Sequence, residues 1–315
     1  MVNVTEDAAT RRIEIPPAEW VRAGCYAIQE AYFELAARDR RVWGLGVTAP
    51  SGWIALDFNY KPLCPLHLLE GDEVAADLSR WREQNPRQAD RIAVVLPPKD
   101  YFRFAISGGL ATDVTDVDRL RCLRAGETEW SESRLGEAGI GRDQVPPIFD
   151  SHVPTGRLSE SGVERTSLPG GTWLVAGAHE TAAGIITAAD LRTATLWITQ
   201  RAGRPAVAAR GVRGLDRLSP PATWHLSRSA IAGYQVFEKV LSPAPGEEVS
   251  SPDITDPLVD ALMNAGYEID EVVLTNASPA VGAAALAAVG SGLVRDWERY
   301  YRALKEQEEG EENDE

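Results

Sequence analysis

The 315-residue sequence contains few cysteines and histidines, and it has no long apolar segment. Its three cysteines are far apart and form no CxxC spacing, which favours free thiols over a disulfide framework. Its four histidines form no cluster with cysteine, which argues against a structural zinc site. The longest apolar run, residues 280–289, is too short to cross a bilayer, and residues 1–17 lack the apolar region of a signal peptide. These absences predict a cytoplasmic protein without a metal centre.

Acidic residues dominate the charge of the chain. Its 47 Asp and Glu outnumber its 32 Lys and Arg, which gives a formal net charge of -15 at pH 7. Such a surface repels nucleic acid and anionic membranes, so neither is predicted as a partner. Because 44% of the residues are hydrophobic, the chain can bury a substantial core, and its length suits a globular protein of two domains.

Blocks of apolar periodicity predict strands and helices in turn along the chain. Trp20, Ile28 and Leu35 are among the apolar residues that recur on one face and predict a helix just after a proline pair. Further helices are predicted at residues 73–84, 99–106, 127–138, 159–166, 181–189, 227–240, 257–264, 281–289 and 297–307. Strands are predicted at residues 42–47, 53–58, 91–96, 172–176, 194–199 and 271–275. This alternation is typical of an α/β protein with a partly parallel sheet.

Five blocks of sequence, in the same order, resemble the FGGY family of carbohydrate kinases and in particular its xylulokinase-like members. Residues 15–35 resemble the family's acidic-Pro-x-x-Trp helix, and residues 42–65 resemble its sugar loop with the flanking strands. Residues 98–116 are similar to a family segment that contains Asp-Tyr-Leu and Ala-Thr-Asp. Residues 145–183 resemble a proline pair, a Leu-Pro-x-Gly-Thr-Pro-Val segment and the Gly-x-x-Asp element, and residues 269–290 resemble the adenosine-side strand and its Ala-rich helix.

The resemblance implies an α/β fold of two actin/hexokinase-like (ribonuclease H-like) domains with a ligand cleft between them. It implies an N-terminal domain at residues 1–192, a reduced C-terminal domain at residues 193–307, and an acidic tail at residues 308–315 whose composition predicts disorder. The family's first phosphate hairpin carries an Asp-Gly-x-Thr turn. No such turn precedes Pro16, so this hairpin is expected to be missing, and another segment must cover the sheet edge that its loss exposes.

The catalytic base of the family is the Asp of the Gly-x-x-Asp element, and the resemblance places Glu180 there. Because Glu has one more methylene, its carboxylate lies about 1 Å away from the family position, which can slow a reaction about a hundredfold. Alternatively, Glu180 only caps the following helix or is solvated. His179, which precedes it, is expected to be a polar residue of the cleft or core and is assigned to the substrate side.

The nucleotide side departs further from the family pattern. In the second phosphate loop Ile198 replaces a glycine, so that the backbone no longer approaches a phosphate closely. Thr199 and Gln200 remain there as candidate cofactor-binding residues. The family's adenosine loop has a Gly-Gly pair, and the candidate residues at its place are Asn276, Ala277 and Ser278.

The sugar side is altered as well. The loop from Thr48 to Gly52 lacks the family's Gln and His, which leaves Thr48 and Ser51 as candidate substrate-binding residues. Asp72 and Glu73 stand near the family's Trp-x-Asp-x-Arg sugar contacts. Acidic residues are also favoured at a solvated helix N-terminus, and this second interpretation is preferred for the pair.

Three hypotheses about function follow from these departures. The first is a pseudokinase that keeps the fold and has a scaffold or regulatory role in sugar metabolism. The second is a divergent ATP-dependent sugar or polyol kinase that uses Glu180 as its base and needs ATP and magnesium as cofactors. The third is a sugar-binding module without catalysis. The expected partners are a small sugar or polyol, and further copies of the chain or an intact kinase in an oligomer.

Overall fold

A computed structural model describes most of the N-terminal two thirds of the chain and separate segments beyond it. The described residues are 5–7, 12–35, 41–69, 74–120, 122, 129–186, 195–201, 204–210, 225–231, 234–240, 271–275, 278–297 and 299–300. The helices are α1 (Pro17–Glu34), α2 (Val74–Gln84), α3 (Pro86–Ala89), α4 (Pro98–Ser107), α5 (Val114–Arg119), α6 (Glu132–Glu137), α7 (Glu160–Thr166), α8 (Glu180–Ile186) and α9 (Pro279–Gly290), with a 3-10 turn at Arg142–Gln144.

The strands are short in the first half of the chain and longer in the second. They are β1 (Thr5–Asp7), β2 (Arg12–Ile15), β3 (Gly44–Leu45), β4 (Thr48–Ala49), β5 (Gly52–Leu56), β6 (Leu66–Leu69), β7 (Val94–Leu96), β8 (Thr112–Asp113), β9 (Ile148–Phe149), β10 (Pro154–Arg157), β11 (Trp173–Val175), β12 (Ala178–His179), β13 (Thr195–Arg201), β14 (Arg204–Arg210), β15 (His225–Ile231), β16 (Tyr234–Val240) and β17 (Glu271–Thr275).

An antiparallel sheet in the order β1-β2-β6-β5-β7 carries much of the core. Every residue of β5 is buried, because α2 and α4 both pack against this strand. Burying side chains such as Trp53, Ile54 and Leu56 contributes about 1.5–3 kcal/mol each to folding. The apolar run that predicted this strand therefore forms a buried interior strand of the first sheet.

A short hairpin, β1–β2, precedes α1 and closes one side of this sheet. All four residues of β2 pair with β6, so that the edge of β6 is covered, as the sequence analysis requires. The hairpin carries the sequences Thr-Glu-Asp and Arg-Ile-Glu-Ile, and it contains no Asp-Gly-x-Thr turn. It therefore completes the sheet without supplying the family's first phosphate motif.

Asp77 on α2 is hydrogen-bonded to side chains from three strands of the first sheet. Its carboxylate accepts from Trp53 Nε1 at 2.9 Å, lies 3.0 Å from His67 Nδ1, and accepts from Arg12 at 3.3 Å. Burial alone would raise the pKa of Asp77, but these donors and the nearby charges outweigh burial and lower it. The cluster ties α2 to β2, β5 and β6.

Two pairs of parallel strands lie beside this sheet. β3 pairs with β11 and β4 pairs with β12, while β10 runs antiparallel to β11. The strand predicted at residues 42–47 is shortened to β3, and β4 follows just beyond the predicted bounds. The helix α9 packs against both strands. A side chain at Gly46 would overlap the carbonyl oxygen of Ala283 on α9, so only glycine permits this contact.

A second five-stranded sheet has the order β15-β16-β14-β13-β17, with β13 and β17 parallel and the other pairs antiparallel. The helix predicted at residues 227–240 is wrong, because β15 and β16 form an antiparallel pair there. Gly233 interrupts the segment and costs about 1 kcal/mol in a helix interior. Tyr234, Val236 and Phe237 are aromatic or β-branched residues that favour a strand.

Several predictions fall outside the described residues. They concern the helix at residues 257–264, most of the helix at residues 297–307, and the acidic tail at residues 308–315. In the part of the chain that the structure describes, no helix is both long enough and apolar enough to cross a membrane.

Candidate functional site

The candidate site lies where β4 and β12 end side by side. The two strands are parallel, and Thr48 pairs with Ala178 while Ala49 pairs with His179. The helix α8 begins at the next residue, Glu180, which is half-buried. In open α/β sheets, ligands bind at the carboxyl ends of parallel strands. This register therefore brings the predicted residues of the sugar loop and of the Gly-x-x-Asp element together.

His179 and Ser51 are joined across the two loops. His179 is 4% exposed, and its Nε2 shares a hydrogen bond of 3.0 Å with Ser51 Oγ, which is also buried. The backbone N–H of His179 donates to Thr115 Oγ1 at 2.7 Å. His179 is thus a buried polar residue held at both its backbone and its side chain. The structure brings two of the predicted substrate-side residues into direct contact.

Gly177 makes the close approach of these strands possible. Its φ angle is +77°, a conformation that other residues rarely adopt, and an added Cβ would overlap the carbonyl oxygen of Val47. The N–H of Gly177 donates to the carbonyl oxygen of Ser151 at 2.9 Å. The turn before His179 therefore depends on glycine.

A buried cluster of charged side chains is linked to the site through Thr115, and no sequence pattern predicted it. Lys99 Nζ lies 2.7 Å from Asp100, 3.0 Å from Asp113 and 2.9 Å from Asp116. Lys99 is 1% exposed, and the three aspartates are 4% exposed or less. Charged side chains are almost never buried unless they are paired, so the burial of these four groups depends on their contacts with one another.

Arg103 gives the cluster its second cation. One of its terminal nitrogens lies 3.5 Å from Asp100 and also donates to the carbonyl oxygen of Ala111. The other donates to Thr155 Oγ1 at 3.1 Å. Three carboxylates and two cations leave the cluster one negative charge in excess if all are ionised.

The charges in this cluster shift the pKa values of Lys99 and Asp116. Burial alone would lower the pKa of the Lys99 ammonium, but the three carboxylates outweigh burial and raise it. Burial raises the pKa of Asp116 to about 7, because Asp113 and Asp100 add to this effect and Lys99 only partly opposes it. Asp116 is therefore the group that takes up a proton to relieve the excess charge.

We expect the fold to lose stability as the pH rises and Asp116 releases this proton. The pKa of Asp116 rises from 3.8 to about 7, so between these values the folded chain holds a proton that the unfolded chain has released. The free energy of unfolding therefore falls as pH rises through this window. Asp116→Asn carries no such proton. Urea unfolding at about pH 5 and about pH 7.5 should show a smaller loss of stability in the variant than in the wild type. Equal losses in both proteins would contradict the assignment.

Four further predicted site residues lie in the described part of the chain. Thr48 is half-buried on β4, and Thr199 and Gln200 lie on β13. Ser278 is exposed and precedes the first residue of α9 without capping it through its side chain. Asp72, Glu73, Asn276 and Ala277 lie outside the described residues.

The helix α9 packs against α8, β3, β4 and β11, so it closes over the back of the site. Gly282 on α9 touches the backbone of α8, and a Cβ there would overlap the carbonyl oxygen of Ala183. Ala183 is three residues after Glu180. The predicted Ala-rich helix is confirmed, and its small residues allow it to lie directly on the helix that carries Glu180.

Comparison with known proteins agrees with this architecture. Residues 75–187 match the FGGY family of carbohydrate kinases, N-terminal domain. The xylulose kinase of Bacillus subtilis is 34% identical over 110 residues, which cover 35% of this chain and 22% of that protein. The matched segments span about a fifth of the curated relatives.

Solved structures share the fold over a larger part of the chain. A xyloylose kinase from Brucella ovis superposes with a TM-score of 0.73 at 16% identity, covering 95% of this chain and 86% of that one. A xylulose kinase from Rhodospirillum rubrum gives a TM-score of 0.72 at 15% identity, covering 94% and 86%. The predicted two-domain actin/hexokinase-like fold is thereby confirmed. The resemblance to the FGGY family of carbohydrate kinases is thereby confirmed for residues 75–187.

Proposed function

We propose that this chain is a pseudokinase: it binds a small sugar or polyol through its N-terminal domain but transfers no phosphoryl group. The observation that carries the proposal is the path of β13. Thr199 and Gln200, at the position of the family's second phosphate loop, are not in a turn but continue the strand.

The pairing of β13 with strands on both sides leaves few backbone N–H groups that could bind a phosphate. Thr199 pairs with Ala206 of β14 on one side and with Thr275 of β17 on the other, and Gln200 pairs with Pro205. Phosphate loops bind through backbone N–H groups that are free to point at the ligand. Residues in the interior of a sheet use these groups for the ladder instead. This supports weak or absent nucleotide binding.

The sugar side of the proposal is supported by the polar residues at the ends of β4 and β12. Ser51 and His179 form a buried, hydrogen-bonded pair, and Glu180 follows directly at the start of α8. Hydroxyl, imidazole and carboxylate groups bind sugar hydroxyls as donors and acceptors. A chain that keeps this side and loses phosphate contacts fits a scaffold or regulatory role in sugar metabolism. It would act in the cytoplasm, in an oligomer with its own copies or with an intact kinase.

The alternative of a divergent kinase rests on Glu180. Its carboxylate is half-buried at the end of two parallel strands, which is a suitable place for a general base. In that case ATP and magnesium would be required, and the ATP would supply the transferred phosphoryl group. Glu180 would then only accept the proton of the substrate hydroxyl.

Calorimetric titration distinguishes these functions. We expect heat of binding from at least one member of a panel of pentoses and polyols, and none from MgATP up to millimolar concentration. Glu180→Gln should weaken the sugar binding, whereas Glu160→Gln should not. Glu160 is the matched control, since it is the exposed first residue of α7 as Glu180 is of α8. Binding of MgATP with formation of ADP would overturn the proposal. If no member of the panel gave heat of binding, the sugar-binding part of the proposal would be wrong.

A further inference from the structure

Two backbone amides on either side of Ala178 are connected to one buried carboxylate. His179 N–H donates to Thr115 Oγ1 at 2.7 Å, and Gly177 N–H donates to the carbonyl oxygen of Ser151 at 2.9 Å. The hydroxyls of Thr115 and Ser151 both donate to Oδ2 of Asp113, each at 2.7 Å. Asp113 itself is 0% exposed.

The chemistry of a hydroxyl makes this connection directional. Thr115 has a single hydroxyl proton, and an ionised carboxylate can only accept hydrogen bonds. Because that proton points at Asp113, the lone pairs of Thr115 Oγ1 are left for the N–H of His179. The Thr115 N–H also donates to Asp113 Oδ2 at 3.0 Å, which holds the threonine in this orientation. Lys99 Nζ lies 3.0 Å from the other carboxylate oxygen of Asp113, Oδ1.

We propose that Asp113 is a positioning residue that fixes β12, and through it the placement of His179 and Glu180. The inference rests on the proposed function in taking these two residues as the ligand site. Asp113 touches neither of them and acts through Thr115 and Ser151. Since Ser151 binds Asp113 through its side chain and Gly177 through its carbonyl, both ends of the two-residue strand are tied to the same carboxylate.

An asparagine at position 113 cannot keep these contacts. If its amide oxygen faces the two hydroxyls, its NH₂ group faces the Lys99 ammonium, and two donors meet. If it turns around, its NH₂ group faces Thr115 and Ser151, whose protons must then point elsewhere. The Thr115 proton would be directed towards the N–H of His179, which also donates. Neither orientation keeps both the contact with Lys99 and the two hydroxyl hydrogen bonds that support β12.

Asp116 provides a matched control for this substitution. It is as deeply buried as Asp113 and pairs with the same Lys99, at 2.9 Å. No hydrogen bond connects its carboxylate to Thr115 or Ser151 in the described part of the chain. Asp113→Asn and Asp116→Asn therefore each replace a buried carboxyl group beside the same cation with an amide, and only the first breaks the path to β12.

Backbone amide hydrogen exchange, measured by NMR at about pH 6 without ligand, tests the proposal. We expect Asp113→Asn to lower the protection of the Gly177 and His179 amides about tenfold, the effect of losing one buried hydrogen bond. Asp116→Asn should change them less than about threefold. The Ala93 amide, which donates to Leu56 in the first sheet, reports global stability and should change little in either variant. Equal losses in both variants, or losses at Ala93 as large as those at His179, would overturn the proposal.

A second variant keeps the test decisive if Asp113→Asn does not fold. Thr115→Val removes the hydroxyl with little change of shape and leaves Ser151 in place. We expect it to expose the His179 amide and to spare that of Gly177, while unchanged protection at His179 would refute the path through Thr115. The exchange experiment uses no ligand. A failure of the wild type to bind any sugar would therefore count against the proposed function and leave the positioning role of Asp113 standing.

Discussion

Replacing Lys99 by methionine should lower the free energy of unfolding by about 3–5 kcal/mol, as expected when one partner of a buried ion cluster is removed. The ammonium of Lys99 lies within 3.0 Å of three carboxylates, and it is 1% exposed. Without it, Asp100, Asp113 and Asp116 would face one another with only Arg103 as a counter-charge. Domains are stable by about 5–15 kcal/mol, so this single loss is a large fraction of the total.

Urea unfolding followed by tryptophan fluorescence measures this effect. Lys61→Met is the matched control, because Lys61 is exposed and surface substitutions change stability by less than about 0.5 kcal/mol. We also expect Lys99→Met to recover part of its stability at lower pH, where Asp116 takes up a proton. A loss below about 1 kcal/mol at neutral pH would show that the cluster does not depend on its lysine.

The sequence predicted the parts of this fold that depend on local patterns. The helix after Pro16 is present as Pro17–Glu34, and the apolar run at residues 53–58 forms the buried strand Gly52–Leu56. The strand predicted at residues 172–176 is present as Trp173–Val175, and the helix predicted at residues 181–189 is present from Glu180 to Ile186. Each of these features is set by periodicity or by residues that follow one another in the chain.

The charge cluster could not be found in the same way. Lys99 lies on α4, Asp113 lies on β8 and Ser151 follows β9. Only the topology of the fold brings these three residues together. The density of charged residues gave no signal either, because residues 99–116 contain five of them, close to the 25% of the whole chain. The wrong helix at residues 227–240 has a different cause. There the apolar residues suited both periods, and pairing with β14 decided for the strand.

The second large effect is expected at Gly282. In an exposed helix interior, Gly→Ala stabilises by about 0.5–1 kcal/mol, because glycine loses more backbone freedom on folding. At Gly282 we expect the opposite sign, with a loss of about 2–3 kcal/mol, since the added methyl would overlap the backbone of Ala183. Backbone atoms cannot turn aside as a flexible side chain can, so α8 and α9 must separate.

Gly136 provides the control for this substitution. It lies in α6, it is exposed, and a Cβ there would meet nothing within 4 Å. Gly136→Ala should therefore raise the urea midpoint where Gly282→Ala lowers it, and shifts of the same sign would contradict the packing argument. The separation also has a functional consequence. Because Ala183 is only one turn after Glu180, Gly282→Ala should weaken sugar binding from a residue that faces α8 rather than the ligand. Packing of α9 would then contribute to the site as directly as the polar residues at the ends of β4 and β12.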